Sequence, residues 1–379
     1  MTEKILNFDI NMIKTPTYIV DEILLENNLK ILKYVADKSG CKILLAQKAF
    51  SMFSMYDLIG KYLNGTTSSG LYEAKLGKKY MSGDVHIFSP AYKDDEIDEI
   101  IDICDHIIFN SFNQWLKFKP KMKNKQCGIR INPECSTQDH AIYDPCSPGS
   151  RLGVTRKNFR SELLDGISGL HFHTLCEQNA DALATTLASV ERNFGEYLPK
   201  MEWINFGGGH HITRNDYDIE QLIDIIIKFK NKYDIEVFLE PGEAVALNCG
   251  FLVSSVMDIV ENDIINVILD TSAACHMPDV IEMPYRPHIV GSGQKSEKMY
   301  NYRFGGPTCL AGDIIGDYSF DNPLKIGDKI VFCDMAIYSM VKNNTFNGMK
   351  LPDIAICEHS GNIRVVREFG YDDFEMRLS

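Results

Sequence analysis

The stretch Lys42-Ile43-Leu44-Leu45-Ala46-Gln47-Lys48-Ala49-Phe50 decides how the rest of the chain is read. Lys42 to Gln47 is an apolar run of strand length, and Lys48 stands where that strand should end. In α/β barrels the carboxyl ends of the strands carry the chemistry. A lysine held there among apolar neighbours loses proton affinity, and its amine can then form a Schiff base with a carbonyl. The competing reading is a surface lysine that closes a strand, since lysines are rarely buried.

Outward from this stretch, strand-like runs recur with helical patterns between them. They fall at Leu63–Ser68, Val85–Ser89, His106–Phe109, Gly128–Ile131, Gly169–His173, Trp203–Phe206 and Glu236–Leu239. With Lys42–Gln47 they make eight alternating strand–helix units, which predicts a (β/α)8 TIM-like barrel. Upstream, Thr17–Val20 reads as a short strand, and Asp21 as the cap of a helix over 22–37. Past Gly250 the pattern changes to β-type runs at Phe251–Val260, Ile264–Leu269, Lys329–Cys333, Asp353–Cys357 and Ile363–Phe369. That change predicts a second, mostly antiparallel β domain of sandwich or barrel type. The barrel is expected over 15–249, and the β domain over 1–14 and 250–379. A helix at Met335–Lys342 is expected to turn the segment 335–350 back onto the barrel.

Bulk composition narrows the function classes. The 379 residues exceed the usual size of one core. A net charge of −13 argues against nucleic-acid binding and is compatible with a cationic small substrate. No apolar run is long enough to span a bilayer, so no membrane partner is expected. Eleven scattered cysteines, an odd count without a C-x-x-C pair, predict free thiols and a cytoplasmic location.

Several strand ends carry candidate chemistry. Gly207-Gly208-Gly209 follows the seventh strand, where backbone N–H groups can cradle a phosphate or where a tight turn can need positive φ. Glu240-Pro241-Gly242-Glu243 ends the eighth, and a carboxylate there can pair with a cationic ring nitrogen or stay solvated. His171-x-His173 and His210-His211 suggest either a metal site or an imidazole stacked on a planar cofactor, with a histidine satisfied inside the barrel as a third option for His171. The metal reading is the weaker one, and no metal is expected. The loop Gly305-Gly306-Pro307-Thr308-Cys309-Leu310-Ala311-Gly312-Asp313 is too rich in glycine and proline for regular structure. A cysteine beside an acid there can donate a proton or act as a nucleophile.

Taken together, Lys48, His173, Gly207–Gly209, Glu240-Pro241-Gly242, Gly306-Pro307-Thr308-Cys309 and Tyr338 resemble the fold-type III pyridoxal-phosphate decarboxylases. That family contains the ornithine and diaminopimelate decarboxylases. Leu45-Ala46-Gln47-Lys48, Ser150-Arg151-Leu152-Gly153, Glu240-Pro241-Gly242-Glu243, Cys275-His276-Met277-Pro278-Asp279 and Gly306–Asp313 are similar to its branch acting on carboxynorspermidine and carboxyspermidine in polyamine biosynthesis. The resemblance implies an alanine racemase-like fold, pyridoxal 5′-phosphate as cofactor, and a head-to-tail homodimer with shared active sites. It implies that Lys48 carries the cofactor, His173 stacks on its ring and Glu240 pairs with the ring nitrogen. Gly208, Gly209 and Tyr338 would hold the phosphate. Cys309 from the partner chain would protonate the product carbon. Asp313 would contact the substrate amine, His276 would lie in the substrate pocket and Phe346 would line it. The family's diamino-acid branches usually continue E-P-G with arginine, and this chain has Glu243. Glu243 and Asp279 are therefore the candidates for gripping a cationic tail, with internal salt bridges as the competing reading. The remaining alternatives are a same-fold decarboxylase of diaminopimelate, ornithine, lysine or arginine, and a non-catalytic regulatory homologue.

Overall fold

The computed structural model describes residues 6–138 and 143–379. The chain forms two compact units, Glu26–Val245 and Met1–Leu25 with Ala246–Ser379; of the latter, residues 1–5 lie outside the described ones.

The first strand, β1 (Thr17–Asp21), leads into helix α1 (Glu22–Ser39). Asp21 caps that helix as expected, its Oδ1 accepting the Leu24 N–H at 3.0 Å. The barrel strands follow: β2 (Lys42–Ala46), β3 (Gly65–Ser68), β4 (Asp84–Ser89), β5 (His106–Phe109), β6 (Gln126–Arg130), β7 (Gly169–His171), β8 (Trp203–Asn205) and β9 (Glu236–Leu239). All eight pair in parallel, and Ile43 on β2 meets Leu239 on β9 to close the barrel. The connecting helices are α2 (Tyr56–Ile59), α3 (Leu71–Tyr80), α4 (Ile97–Ile103), α5 (Phe112–Phe118), α6 (Ala180–Phe194) and α7 (Ile219–Tyr233). Between β6 and β7 the described residues form only single 3-10 turns, so strict alternation breaks there.

Helix α7 shows why the sequence folds this way locally. Leu222, Ile223, Ile226 and Phe229 bury one face at helical spacing, and the Asp218 side chain accepts the Gln221 N–H at the start. The barrel interior is packed, not hollow. Trp203 lies among Leu44, Ile108 and Phe238. A Cβ on Gly128 or Gly169 would fall 2.4 or 2.0 Å from the Trp203 ring, so the two glycines make the room it needs. Deleting such a ring costs about 3–5 kcal/mol.

The other unit is a mixed sheet. Its strands are β1, β10 (Gly250–Asn262), β11 (Ile264–Leu269), β12 (Tyr300–Gly305), β13 (Ile314–Phe320), β14 (Lys329–Cys333), β15 (Asp353–Cys357) and β16 (Ile363–Arg367). They run in the order β13-β12-β11-β10-β1-β15-β16, with β14 also pairing β10. Most pairs are antiparallel; β1–β15 and β11–β12 are parallel. Side-chain alternation feeds two cores: Tyr18, Leu252 and Phe332 go to one, Ile19, Phe251, Val331 and Ala355 to the other.

Several expectations need correction. β1 belongs to this sheet, so assigning residues 15–25 to the barrel was wrong. β12 and β13 went unread. The expected helix at 335–342 shrinks to one turn, Ser339–Lys342, because Asp334 and Tyr338 take positive φ before it.

Candidate active site

The carboxyl ends of the barrel strands bring together residues far apart in sequence. Lys48 follows β2, Arg130 ends β6, His171 ends β7 with His173 just beyond, Asn205 ends β8, and Glu240 follows β9.

The turn that carries Lys48 is clamped by Gln47. The buried Gln47 amide donates to Ser68 Oγ at 2.9 Å and to the Glu73 carbonyl at 2.8 Å, and its Oε1 accepts the Tyr56 hydroxyl at 3.0 Å. Lys48 itself is reachable by solvent, yet it stands in a recess walled by protein. Desolvation there, and then the Arg130 charge, lower its pKa against the pull of Glu240, Glu243 and Cys176. This is the direction an amine nucleophile requires. Glu243 is thus an electrostatic neighbour of Lys48.

Glu240 is buried, and burial alone would raise its pKa. Donors outweigh that cost. His171 Nε2 lies 3.2 Å from Oε2, Asn205 Nδ2 donates to Oε1 at 2.7 Å, and the Thr67 hydroxyl adds a third bond. The net effect holds the carboxylate ionised. Asn205 also accepts the Gly207 N–H at 2.8 Å, so one buried amide couples the glycine turn to Glu240.

The Gly208 N–H donates to His173 Nδ1 at 2.9 Å. Desolvation and the Lys48 and Arg130 charges keep the His173 ring neutral by pushing its pKa well down. Gly207 and Gly209 have φ of 70° and 82°. A Cβ on Gly208 would fall 2.5 Å from the Glu240 carbonyl, and one on Gly209 would fall 2.0 Å from the Leu175 carbonyl. The tight-turn reading therefore holds for Gly207 and Gly209. The Gly208 N–H, expected to face a phosphate, is spent on His173.

Arg130, which the sequence did not single out, is buried. It donates to the His173 carbonyl at 3.1 Å and lies 4.5 Å from the centre of the Phe88 ring. Burial brings its pKa down to about 10. Asn205 was missed as well. One polar residue inside Trp203-Ile204-Asn205-Phe206 was the available signal.

His171 and His173 are engaged by Glu240 and Gly208, which leaves the metal reading of His171, His173 and His210 without support. Among the described residues, side chains that could hold a metal gather elsewhere, at Asp84, His86 and His106. Lys42 Nζ already sits there, 3.8 Å from Asp84 and 3.0 Å from Glu236.

The sheet unit gathers the other candidates. The one-turn helix α8 (Ala273–His276), the Cys309 loop and the segment 344–348 are hydrogen-bonded to each other, and α9 (Asp279–Glu282) follows α8. Asn344 donates its backbone N–H to the Cys275 carbonyl at 2.9 Å. The Cys309 thiol is exposed, and the Cys309 N–H donates to Asn347 Oδ1 at 2.8 Å. Phe346 is exposed. Asp313, expected at the substrate amine, is buried. Its oxygens accept from the Ala274 N–H at 3.2 Å and the Thr308 hydroxyl at 2.7 Å, so the structure has it shaping the cysteine loop. His276 is buried too, its Nδ1 accepting the Ser272 N–H at 3.3 Å. Asp279 is ion-paired with Lys342, which also binds Glu282; this is the salt-bridge alternative for Asp279. Tyr338 has φ of 56°, a costly conformation for an aromatic residue.

The chain matches a family described as pyridoxal-dependent decarboxylase, C-terminal sheet domain, over residues 17–336. It is 46% identical to the carboxynorspermidine/carboxyspermidine decarboxylase of Campylobacter jejuni, covering 96% of this chain and 98% of the relative. It is 40% identical to the carboxyaminopropylagmatine decarboxylase of Synechocystis, covering 97% and 96%. The crystal structure of carboxynorspermidine decarboxylase from Campylobacter jejuni complexed with norspermidine superposes with a TM-score of 0.91 at 45% identity, over 96% of this chain and 100% of that one. Diaminopimelate decarboxylase from Helicobacter pylori shares the fold, with a TM-score of 0.84 at 18% identity over 97% of both chains. A match that runs through both units, and a relative nearly half identical from end to end, make the chain a member of the pyridoxal-dependent decarboxylases.

Proposed function

We propose that the chain decarboxylates carboxynorspermidine or carboxyspermidine in polyamine biosynthesis, with pyridoxal 5′-phosphate held at Lys48. The observation that carries this reading is the 46% identity, over nearly the whole chain, to a relative named for those substrates. The barrel residues fit the cofactor. Lys48 offers a reachable amine of lowered pKa, Glu240 an ionised carboxylate, and His173 a neutral planar ring. With the Gly208 N–H taken by His173, the glycine turn would meet a phosphate chiefly through the Gly209 backbone.

Bound pyridoxal phosphate supplies an aldehyde for the substrate α-amine and a protonated ring that accepts the electron pair left by departing CO2. Lys48 would hold the cofactor through its amine, whose lowered pKa suits that bond. Glu240, ionised, would keep a proton on the cofactor's ring nitrogen. His173 would serve the cofactor's ring, and Tyr338, like the glycine turn, is a residue that would hold its phosphate. Cys309 of the partner subunit delivers the proton to Cα in a homodimer with shared sites. Asp279 and Glu282 meet the cationic tail in place of Lys342, while Glu243 sets the charge near Lys48. No helix among the described residues is long and apolar enough to cross a membrane. All eleven cysteines are free, which supports a reducing cytoplasm.

A second reading rests on the 40% identical relative named for carboxyaminopropylagmatine, whose tail ends in a guanidinium. The test is CO2 release from the cofactor-loaded protein. Carboxynorspermidine, carboxyspermidine, carboxyaminopropylagmatine, meso-diaminopimelate, ornithine, lysine and arginine are compared at equal concentration. Preference for the first two supports the proposal, and preference for any other substrate replaces it. No release from any of them leaves a regulatory homologue.

A further inference from the structure

We propose that His171 is a positioning residue that acts through Glu240 to keep the proton on the cofactor's ring nitrogen; the inference rests on the proposed function. Of the two histidines flanking Phe172, only His173 was expected to serve the cofactor. His171 is buried, and its Nε2 lies 3.2 Å from Glu240 Oε2. Its other nitrogen, Nδ1, is buried without a hydrogen-bond partner. That pair of facts fixes the tautomer. A proton on Nδ1 would leave a buried donor unpaired and set a bare Nε2 against a carboxylate. The proton therefore sits on Nε2, and His171 donates.

A donor to a carboxylate lowers its proton affinity. With Asn205 Nδ2 at 2.7 Å and the Thr67 hydroxyl, His171 completes three donors on one buried carboxylate. Glu240 so held accepts a hydrogen bond from a ring N–H without taking the proton. Without His171 it becomes more basic, and the proton moves toward it. The ring then loses the positive charge that makes it an electron sink. Burial keeps His171 neutral despite the adjacent carboxylate, so it cannot itself supply a competing cation. The Phe88 ring stacks near it, at 5.4 Å between centroids. The charged and titratable groups facing the pair are Lys48, Arg130, His86, His173 and His210.

Three variants separate this role from simple packing. His171→Gln reaches Glu240 with an amide donor, His171→Asn is too short, and His171→Phe keeps a ring without a donor. Each is loaded with pyridoxal 5′-phosphate, and three quantities are measured: cofactor dissociation constant, pH titration of the bound cofactor's visible absorbance, and kcat with KM. Wild type that binds no cofactor sinks the proposed function before any variant is compared. If wild type binds, H171N and H171F should bind roughly tenfold more weakly, the worth of one hydrogen bond to a charged group. Their absorbance titration should shift, and kcat should fall with little change in KM. H171Q should stay within about threefold of wild type. Indistinguishable titrations for H171N and H171Q overturn the inference, even if H171F fails to fold. So does an H171N titration that matches wild type.

Discussion

Gly208 and His173 lock each other. The glycine's N–H meets Nδ1 of the ring at 2.9 Å, which forces the ring proton onto Nε2 and fixes the ring plane against the turn. The ring is thereby presented neutral and immobile. His173→Leu should therefore loosen both the ring stack and the turn, weakening cofactor binding by roughly tenfold or more. Titrating the apoprotein with pyridoxal phosphate checks it, and unchanged affinity would remove His173 from the site.

Lys48 stands just past the carboxyl end of β2. Lys48→Ala should reduce CO2 release by roughly 10³-fold or more and abolish the visible absorbance of the bound cofactor. Absorbance that survives dialysis would show that another residue carries the attachment.

The cysteine loop is tied down by Asn347 through the Cys309 N–H and by Asp313 through Thr308. Cys309→Ala should leave the fold intact, since the thiol is exposed, and cut product formation by roughly 10²–10⁴-fold. Turnover equal to wild type would take Cys309 out of the reaction. Mixing this variant with Lys48→Ala should restore part of the activity if two chains share each site.

Lys342 holds Asp279 and Glu282 together. Lys342→Met would free both carboxylates. KM for a carboxylated triamine should then fall severalfold, with kcat nearly unchanged. An unaltered KM would show that the acidic pair serves the fold alone.

Acid should weaken the protein before its carboxylates titrate. Burial and the Lys42 charge lower the His106 pKa from 6.5 to about 4, and burial takes His210 and His276 down to about 4 as well. The unfolded chain then binds more protons than the native one below about pH 6.5. Their contribution is full above that pH and is lost progressively as pH falls from about 6.5 to 4. The slope is at most about 1.4 kcal/mol per pH unit for each group. Urea melts between pH 7 and 5 test this; His106→Asn should flatten the slope, and an unchanged slope would exonerate His106.

The barrel was legible because its strands are short apolar runs ended by glycine, proline or charge, and their repeat survives the missing helix after β6. The sheet was less so. Tyr300-Asn301-Tyr302-Arg303-Phe304 alternates as a strand should, but the glycine-rich loop that follows masked it. Membership of Thr17–Asp21 depends on partners such as Leu252 and Ile354, which no local pattern reveals. The same holds for the site. Lys48 and Glu240 sit at strand ends and could be named. Arg130 and Asn205 acquire their roles only from neighbours on other strands. Asp313 was named for its loop, but its bonds to the Ala274 N–H and Thr308 could not be read, because a carboxylate's hydrogen bonds cannot be counted from sequence.

The central place of β1, between β10 and β15, has a consequence for biosynthesis. Residues Lys42–Leu239 leave the ribosome as a continuous series in which each strand pairs with one just made or about to be made. β1 leaves earlier than any of them, and both of its neighbours are made only after the whole barrel, β15 about a hundred residues later still. Throughout translation of the barrel, the five residues Thr17–Asp21, all buried in the finished protein, have no strand of their own chain to pair with. A nascent chain that stalls before Asp353 therefore presents a vacant sheet edge to any other stalled copy, and premature termination favours aggregation over a soluble barrel.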